Sequence, residues 1–350
     1  MALTYGPNIV TDGLVLNLDA GSTRSRLGRN LIPNPTTLSS YAANQSVTVS
    51  QSGKYIQAVS NQTTSTPGVW PIGGSIPVKV STRYTFRVKA GVTFGSNPQL
   101  YALENGVTQL AFTGTISSTF GWTEISFITT ASATALQVGI LWSAPVLNST
   151  VLIEESGLHE TAAWYDTSIN SLTSTFSATR PSYVSTNGGY YHFTGSETAT
   201  VANPLSTQTT LGQAWTVNAW INVLDDTNNQ SLLNLNAGLF PSYGTNNSLL
   251  YLNSGANDYY TYGGDVGGQG WGYLSFRFRN VDNYRTIYRN IVNISTGGPN
   301  NTFTPAGNPG TLTIGSNLRA FLAKLEIYNR VLTDAELAVN YNAYRGRFGL

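Results

Sequence analysis

Residues 13–21 read Gly-Leu-Val-Leu-Asn-Leu-Asp-Ala-Gly, and residues 321–330 read Phe-Leu-Ala-Lys-Leu-Glu-Ile-Tyr-Asn-Arg. In both stretches an apolar run leads into alternating apolar and polar residues, at 16–19 and 324–327, which indicates β-strands. We expect the two strands to pair in one sheet, so that both stretches belong to one domain. Whatever lies between them and differs from that domain is then an insertion.

The composition favours an all-β protein with two cores. The chain has 350 residues, and domains longer than about 250–300 residues tend to split. Only 10% of the residues are charged, against roughly 25% in a typical soluble domain. Ser, Thr, Asn and Gly replace the missing charges, as is typical of extracellular or virion β-proteins.

Charge, cysteine content and the lack of long apolar runs give expectations about the partners, the stability and the location of the protein. The net charge of +1 creates no broad field for nucleic acid or an anionic membrane, so we expect neither as a partner. The chain has no cysteine, so stability has to come from burial. No apolar run reaches the roughly 18 residues of a membrane span, and residues 1–7 lack the features of a secretory signal. We therefore expect synthesis in a host cytoplasm and release by cell lysis.

Alternating segments bounded by Gly, Pro, Asn and Ser recur along the chain, which predicts many short strands. One helix is predicted at the C-terminal side, because Thr333 and Glu336 form a capping-box pattern and Gly346 marks a stop. The predicted fold class is all-β: two nested antiparallel β-sandwiches of jelly-roll type and one short C-terminal helix.

Two changes in composition set the predicted domain boundaries. The first lies at residues 26–30 and leads into Pro33 and Pro35, which do not fit an interior strand. The second follows Glu160, after which Asn- and Gly-rich turns dominate. The prediction is an inserted sandwich at 28–160, within a discontinuous domain made of 1–27 and 161–350.

Three segments, in this order, resemble the concanavalin-A-like, laminin-G-type jelly roll. They are Trp-Thr-Val-Asn-Ala-Trp-Ile at 215–221, Leu-Thr-Ile-Gly at 312–315 and Leu-Glu-Ile-Tyr-Asn-Arg-Val-Leu-Thr-Asp-Ala-Glu-Leu at 325–337. The resemblance implies the fold of the discontinuous domain. It says little about activity, since this fold contains both lectins and glycosidases.

The opening segment 13–21 and the ending 345–350 resemble, more narrowly, virion proteins of tailed phages, notably of marine cyanobacteria. In those proteins the opening runs on to two further motifs. Here their counterparts are Trp-Tyr-Asp-Thr-Ser at 164–168 and Tyr-Val-Ser-Thr-Asn-Gly-Gly-Tyr-Tyr-His-Phe-Thr-Gly at 183–195, displaced by about 130 residues. The displacement supports the insertion.

The insertion itself resembles the galactose-binding-like jelly roll of carbohydrate-binding modules. The resemblance lies in residues 30–35, 84–90, 122–127 and 153–157. It implies a sandwich that can contact glycans.

Catalysis is not expected. A glycosidase needs two carboxylates that flank the scissile bond, and no Asp or Glu pair is spaced i and i+2 or i+4 within a predicted strand. With two histidines and no cysteine, a zinc site or a nucleophilic triad lacks partners. We predict no enzyme and no cofactor, with calcium left as an alternative. Its candidate ligands are Asp225, Asp226, Asp258 and Asp265, for which a purely conformational role in turns is the simpler interpretation.

Exposed aromatic rings are the candidate binding residues. Trp70, between Val69 and Pro71, is predicted to lie on a loop and to offer a platform for a sugar ring. In the Gly- and Tyr-rich stretch 255–272 the candidates are Tyr259, Tyr260, Tyr262 and Trp271. A protein interface, a glycan contact and simple packing all remain open for that stretch. Arg347, Phe348 and Leu350 are candidates for docking on a neighbouring molecule, with a frayed tail as the alternative.

The first functional hypothesis is a non-enzymatic phage virion structural protein on the virion surface, as capsid decoration or on the tail. It would act through other virion proteins, as a homo-oligomer, with weak glycan adhesion in addition. The alternative is a host-recognition, lectin-like adhesin that binds cell-surface polysaccharide. A polysaccharide depolymerase ranks last, because it needs the missing carboxylate pair.

Overall fold

The structure is a computed structural model. It describes residues 8–27, 30–32, 35–43, 46–63, 67–71, 75–161, 163–208, 213–225, 230–235, 237–240, 251–252, 259–260, 267–282, 284–295 and 310–350. The chain divides into two compact units. We call Met1–Arg26 with Ala163–Leu350 the parent unit, and Leu27–Ala162 the inserted unit.

The secondary structure begins with strand β1 (Leu14–Asp19) and the short helix α1 (Thr23–Leu27). Helix α1 lies in a stretch for which no helix was predicted. The strands that follow in the inserted unit are β2 (Tyr41–Ala43), β3 (Val47–Ser52), β4 (Tyr55–Ser60), β5 (Gly68–Pro71), β6 (Ile76–Pro77), β7 (Arg83–Phe94), β8 (Gln99–Glu104), β9 (Thr108–Thr115), β10 (Gly121–Ile128), β11 (Ala135–Leu141) and β12 (Thr150–Glu160).

The parent unit resumes after the insertion and ends with helix α2 (Asp334–Tyr344), followed by a 3₁₀ turn at Arg345–Phe348. Its strands are β13 (Ala163–Tyr165), β14 (Thr173–Phe176), β15 (Ser182–Val184), β16 (Tyr190–Thr194), β17 (Ala199–Ala202), β18 (Ala214–Val223), β19 (Ser231–Leu235), β20 (Ala237–Phe240), β21 (Tyr251–Leu252), β22 (Tyr259–Tyr260), β23 (Gly272–Arg279), β24 (Tyr284–Arg289), β25 (Val292–Asn293), β26 (Thr311–Ser316) and β27 (Arg319–Tyr328).

Two sheets form the inserted unit. The five-stranded sheet has the order β10-β7-β12-β4-β3, and the six-stranded sheet has the order β2-β5-β11-β8-β9 with β6 also on β11. Phe86 and Ile153 of the first sheet and Leu100 and Val138 of the second belong to one buried apolar cluster. The inserted unit is thus an antiparallel β-sandwich with its own core.

The parent unit also contains two sheets. One has the order β15-β16-β27-β18-β23-β24-β25 with β1 on β27, and the other has the order β13-β14-β17-β26-β19-β20-β21-β22. Leu325 and Ile327 of the first sheet share a buried cluster with Leu312 and Ile314 of the second. The predicted fold class, two antiparallel β-sandwiches with one inserted in the sequence of the other, is therefore confirmed.

The predicted pairing of the opening strand with the late one is also confirmed. β1 lies antiparallel to β27, with Asn17 opposite Glu326 and Asp19 opposite Lys324. Leu16 and Leu18 point into the parent core. Because side chains alternate along a strand, Asn17 and Asp19 lie on the other face of the sheet.

The predicted capping box holds the start of helix α2. The Thr333 hydroxyl accepts a hydrogen bond from the Glu336 amide, and the Glu336 carboxylate accepts one from the Thr333 amide. Arg330 Nη2 lies 2.6 Å from Glu336 Oε1. The Arg330 hydrogen bond, opposed by partial burial and assisted by Thr333, lowers the pKa of Glu336 from 4.5 to about 2.

We predict that Glu336→Gln removes a pH-dependent contribution to the free energy of unfolding. Because the folded-state pKa of Glu336 is lowered, its contribution is complete above pH 4.5 and is lost as the pH falls towards about 2. Thermal melts at several pH values should show the wild type more stable than the variant near neutrality, with the difference shrinking below pH 4.5. A difference that stays constant down to the lowest pH would contradict this.

Candidate functional site

A groove of about 280 Å³ lies on the outer face of the six-stranded sheet in the inserted unit. Strand alternation places its lining there, since Leu100 and Ala102 of β8 and Val138 of β11 point into the core. The side chains between them face outward and line the groove, together with residues of β5 and β9: Trp70, Tyr101, Leu103, Gln109, Phe112, Gln137 and Leu141.

One row of side chains crosses the groove from strand to strand. Tyr101 on β8 is paired with Gly139 on β11 and with Phe112 on β9. Trp70 on β5 flanks the other side of Gly139: a Cβ atom at position 139 would lie 2.9 Å from both Trp70 Cβ and Tyr101 Cε1. The missing side chain at Gly139 therefore lets two aromatic residues approach the same piece of backbone.

Amide side chains form the neighbouring row. Leu103 on β8 is paired with Gln137 on β11 and with Gln109 on β9. Within the described part of the chain, neither glutamine side chain makes a hydrogen bond. Each amide offers two N–H donors and a carbonyl acceptor. The groove thus combines aromatic rings with polar groups that are available to a ligand.

The groove is uncharged. None of its lining residues is an Asp, Glu, Lys, Arg or His. Burial raises the pKa of Tyr101, so its hydroxyl is neutral and serves as a hydrogen-bond donor or acceptor. Glu104, at the end of β8, is buried, and its carboxylate accepts a hydrogen bond from the Thr130 amide at 2.7 Å. The lining therefore suits a neutral ligand and supplies no acid or base for catalysis.

The predicted loop position of Trp70 is wrong. Trp70 lies within β5, where it is paired with Ala42 of β2. Pro71 is the last residue of that strand, and the pairing of β5 with β11 involves Gly68 and Val69 only. Its missing N–H therefore removes no bond to β11, and the proline does not prevent a strand. The half-buried Trp70 side chain lies on the outer face of the sheet and lines the groove.

The other aromatic candidates belong to the parent unit, whereas the residues that line the groove belong to the inserted unit. Tyr259 and Tyr260 form β22, paired with Leu252 and Tyr251 of β21. Their side chains and the whole of Tyr262 lie outside the described residues. Trp271 is half-buried, and its ring centroid lies 4.6 Å from that of Phe348. Packing accounts for Trp271, and a binding role for the three tyrosines stays a prediction.

Of the four calcium candidates, Asp225 lies within the described residues. Asp225 Oδ2 accepts a hydrogen bond from Arg319 Nη1 at 2.9 Å. Asp226, Asp258 and Asp265 lie outside the described residues. Among the residues that the structure describes, no group of three or more His, Asp or Glu side chains is arranged to hold a metal ion. Nor does any helix in the described ranges have the length and apolarity to cross a membrane.

The C-terminal candidates are used largely within the parent unit. Arg347 Nη1 donates to Asp19 Oδ1 at 2.9 Å, and the buried Phe348 ring stacks on Trp220 with 4.6 Å between centroids. Leu350, which is 43% exposed, presents its apolar side chain to solvent. Arg347 and Phe348 thus serve the chain's own packing, and docking on a neighbour through Leu350 stays a prediction.

Sequence reasoning found Trp70 but missed Tyr101, Phe112, Gln109 and Gln137. These residues lie on strands β8, β9 and β11, and only the strand register brings them into one groove. A signal was present in β11, where polar Gln137 and bare Gly139 alternate with Leu136, Val138 and Ile140. That alternation marks an outward face, but it does not identify the neighbours across the sheet.

No protein-family model matches the chain, and no curated protein matches it. Solved structures do. Domain 4 of AbnA, a GH43 extracellular arabinanase from Geobacillus stearothermophilus, is 18% identical over 51% of this chain and 91% of that one, with a TM-score of 0.39. The receptor-binding domain of botulinum neurotoxin C/D mosaic serotype is 12% identical over 51% and 48%, with a TM-score of 0.38. A CBM4 structure is 12% identical over 35% and 95%, with a TM-score of 0.30. At these values the similarities support no conclusion about what this chain binds.

We predict that Gly139→Ala destabilises the inserted unit. The added Cβ would lie 2.6 Å from the Val69 carbonyl oxygen, so backbone or rings must shift, at a cost of roughly 1–3 kcal/mol. Urea unfolding of both variants measures this. Gly121→Ala is the matched control, because a Cβ there meets nothing within 4 Å, and its effect should be close to zero. Equal unfolding free energies for the two variants would show that Gly139 is not crowded.

Proposed function

We propose that the chain is a non-enzymatic adhesion protein whose inserted unit binds an uncharged glycan in the groove of the six-stranded sheet. The observation that carries the proposal is the row formed by Trp70, Gly139, Tyr101 and Phe112 beside the side-chain amides of two glutamines. Pyranose rings offer C–H faces that pack on aromatic rings, and their hydroxyl groups hydrogen-bond to amides. The groove provides both kinds of contact side by side.

The uncharged lining of the groove favours a neutral glycan over an acidic one. An acidic polysaccharide would place carboxylates or sulfates against Leu103, Leu141 and uncharged amides, with no lysine or arginine to compensate for the lost hydration. A neutral sugar exchanges its water contacts for amide contacts at much lower cost. The proposed ligand is therefore a neutral polysaccharide.

Binding rather than cleavage fits the same residues. Hydrolysis of a glycosidic bond needs two carboxyl groups on either side of it, and the lining of the groove contains none. The proposed role is adhesion without turnover. A depolymerase would have to act elsewhere on the chain.

The test is glycan binding by a Trp70→Ala variant. The full-length protein should bind neutral polysaccharides on a glycan array, with little signal for acidic ones. By calorimetry on a positive ligand, Trp70→Ala should weaken binding by about tenfold or more, because loss of a central aromatic commonly costs about 2 kcal/mol or more.

Trp122→Ala is the matched control for this test. Trp122 is 43% exposed and lies on β10 of the five-stranded sheet, so its removal should leave glycan affinity unchanged. Two results would overturn the proposal: no neutral glycan bound by the wild type, or equal losses in the two tryptophan variants.

For the place of action, we propose the surface of a phage virion, in contact with other virion proteins and as a homo-oligomer. The support is the sequence resemblance of residues 13–21, 164–168, 183–195 and 345–350 to tailed-phage virion proteins. Cryo-electron microscopy of particles, with antibody against the inserted unit, should place the protein on the capsid or the tail exterior. Purified particles without this chain would contradict the proposal and would leave glycan binding untouched.

A further inference from the structure

Lys324 is buried in the parent unit, far along the chain from the glycan groove's strands. Its side chain is only 1% exposed, an unusual position for an amine that is charged in water. It lies on the outer face of β27, where the ring of Tyr344 from helix α2 lies 4.6 Å from Nζ. Such a site shields the amine from solvent and fixes its partners.

Two of those partners define a reactive geometry. Lys324 Nζ donates to Asn17 Oδ1 of the adjacent strand β1 at 2.5 Å, so the amine lies directly beside a carboxamide. Glu326 Oε1 lies 3.2 Å from the same Nζ. Asn218 Nδ2 donates to the other oxygen, Glu326 Oε2, at 3.2 Å. The buried carboxyl group therefore lies within ion-pair distance of the amine.

Charge pairing in the cluster allows a neutral amine to form. Asp19 Oδ1 accepts from Arg347 Nη1 at 2.9 Å, whereas Asp19 Oδ2 lies 3.8 Å from Lys324 Nζ. Asp19 with Arg347, and Lys324 with Glu326, are then two balanced pairs. Passing one proton from Lys324 to Glu326 leaves the net charge unchanged and removes two buried charges, which desolvation favours.

Electrostatic interactions also set the protonation state of the Lys324 amine before any reaction. Burial alone lowers the pKa of Lys324, but attraction by Glu326 and Asp19 outweighs it, and the pKa is raised overall. The amine is thus protonated at rest and becomes a nucleophile only when Glu326 accepts its proton. Any reaction at this site is expected to be slow and to run once per molecule.

We propose that Lys324 and Asn17 form an intramolecular isopeptide bond, with Glu326 carrying the proton. The neutral Nζ attacks Cγ of Asn17, forming the new C–N bond. The proton released from Nζ passes through Glu326 to Nδ2. The Cγ–Nδ2 bond then breaks, and the nitrogen leaves as ammonia. Atoms and electrons balance without an oxidant, reductant or other co-reactant.

The hydrogen bonds of Asn17 fit this step. Its Nδ2 group donates to Thr167 Oγ1 at 2.9 Å, on the side away from the lysine contact. The carbonyl carbon is thus presented with its oxygen at the amine and its leaving group held apart. The product would connect β1 covalently to its antiparallel neighbour β27 in the parent sheet.

Intact-mass spectrometry of the denatured full-length protein tests the proposal. The expected mass is lower than that calculated from the sequence by one ammonia, and tryptic digestion should give one branched peptide that joins Asn17 to Lys324. Lys324→Arg keeps the charge but removes the nucleophile, so its mass should equal the calculated one. Lys79→Arg, an exposed lysine paired with Glu160, is the control and should still lack one ammonia.

Further variants separate the chemistry from other causes. Glu326→Gln keeps the size of the side chain, but its amide cannot accept the proton from Lys324. The folded variant should therefore have the mass calculated from its sequence, without loss of ammonia. Asn17→Asp should lose water in place of ammonia and reach the same final mass as the cross-linked wild type. The proposal is overturned if the wild type retains its calculated mass after prolonged incubation. It is equally overturned if the loss of ammonia persists in Lys324→Arg, which would indicate a succinimide at Asn17.

Discussion

The ladder between β1 and β27 is the interaction on which the rest of the parent unit depends. β27 pairs with β16 through its first residues, with β1 through its last residues, and with β18 along its other edge. Without β1, the inner face would lose Leu16 and Leu18 from its core, and the edge of β27 would expose unpaired backbone groups. The same ladder joins a strand that precedes the insertion to a strand that follows it. The parent sheet therefore forms without any strand of the inserted unit.

The two units use their outward sheet faces in opposite ways. In the parent unit, the outer face around β27 is covered by helix α2 and the 3₁₀ turn, which bury Trp220 under Tyr341 and Phe348. In the inserted unit, the outer face of the six-stranded sheet carries an open groove. An aromatic ring on a sheet is therefore core in one place and a candidate ligand contact in the other. What covers the face decides between them.

Features encoded within a few neighbouring residues could be predicted from the sequence. The capping box of Thr333 and Glu336 and the strand character of residues 14–19 belong to this class, because each depends on local spacing. The groove could not be predicted, since its residues come from four strands whose register is set by the whole sheet. Trp70 was misplaced because the adjacent Pro71 has the same local appearance at a strand end as in a loop. Phe348 was misread because its partner, Trp220, lies in a distant strand.

The separation of β1 from β27 along the chain also sets an order of events during synthesis. The inserted unit, Leu27–Ala162, leaves the ribosome complete and with its own core while most of the parent unit does not yet exist. At roughly 5–20 residues per second, β1 waits on the order of tens of seconds before its partner is made. During that interval β1 lacks the strand with which it pairs. The nascent chain therefore carries a finished inserted unit ahead of an unfinished parent unit, and until β27 is made the backbone of β1 is exposed to misassembly.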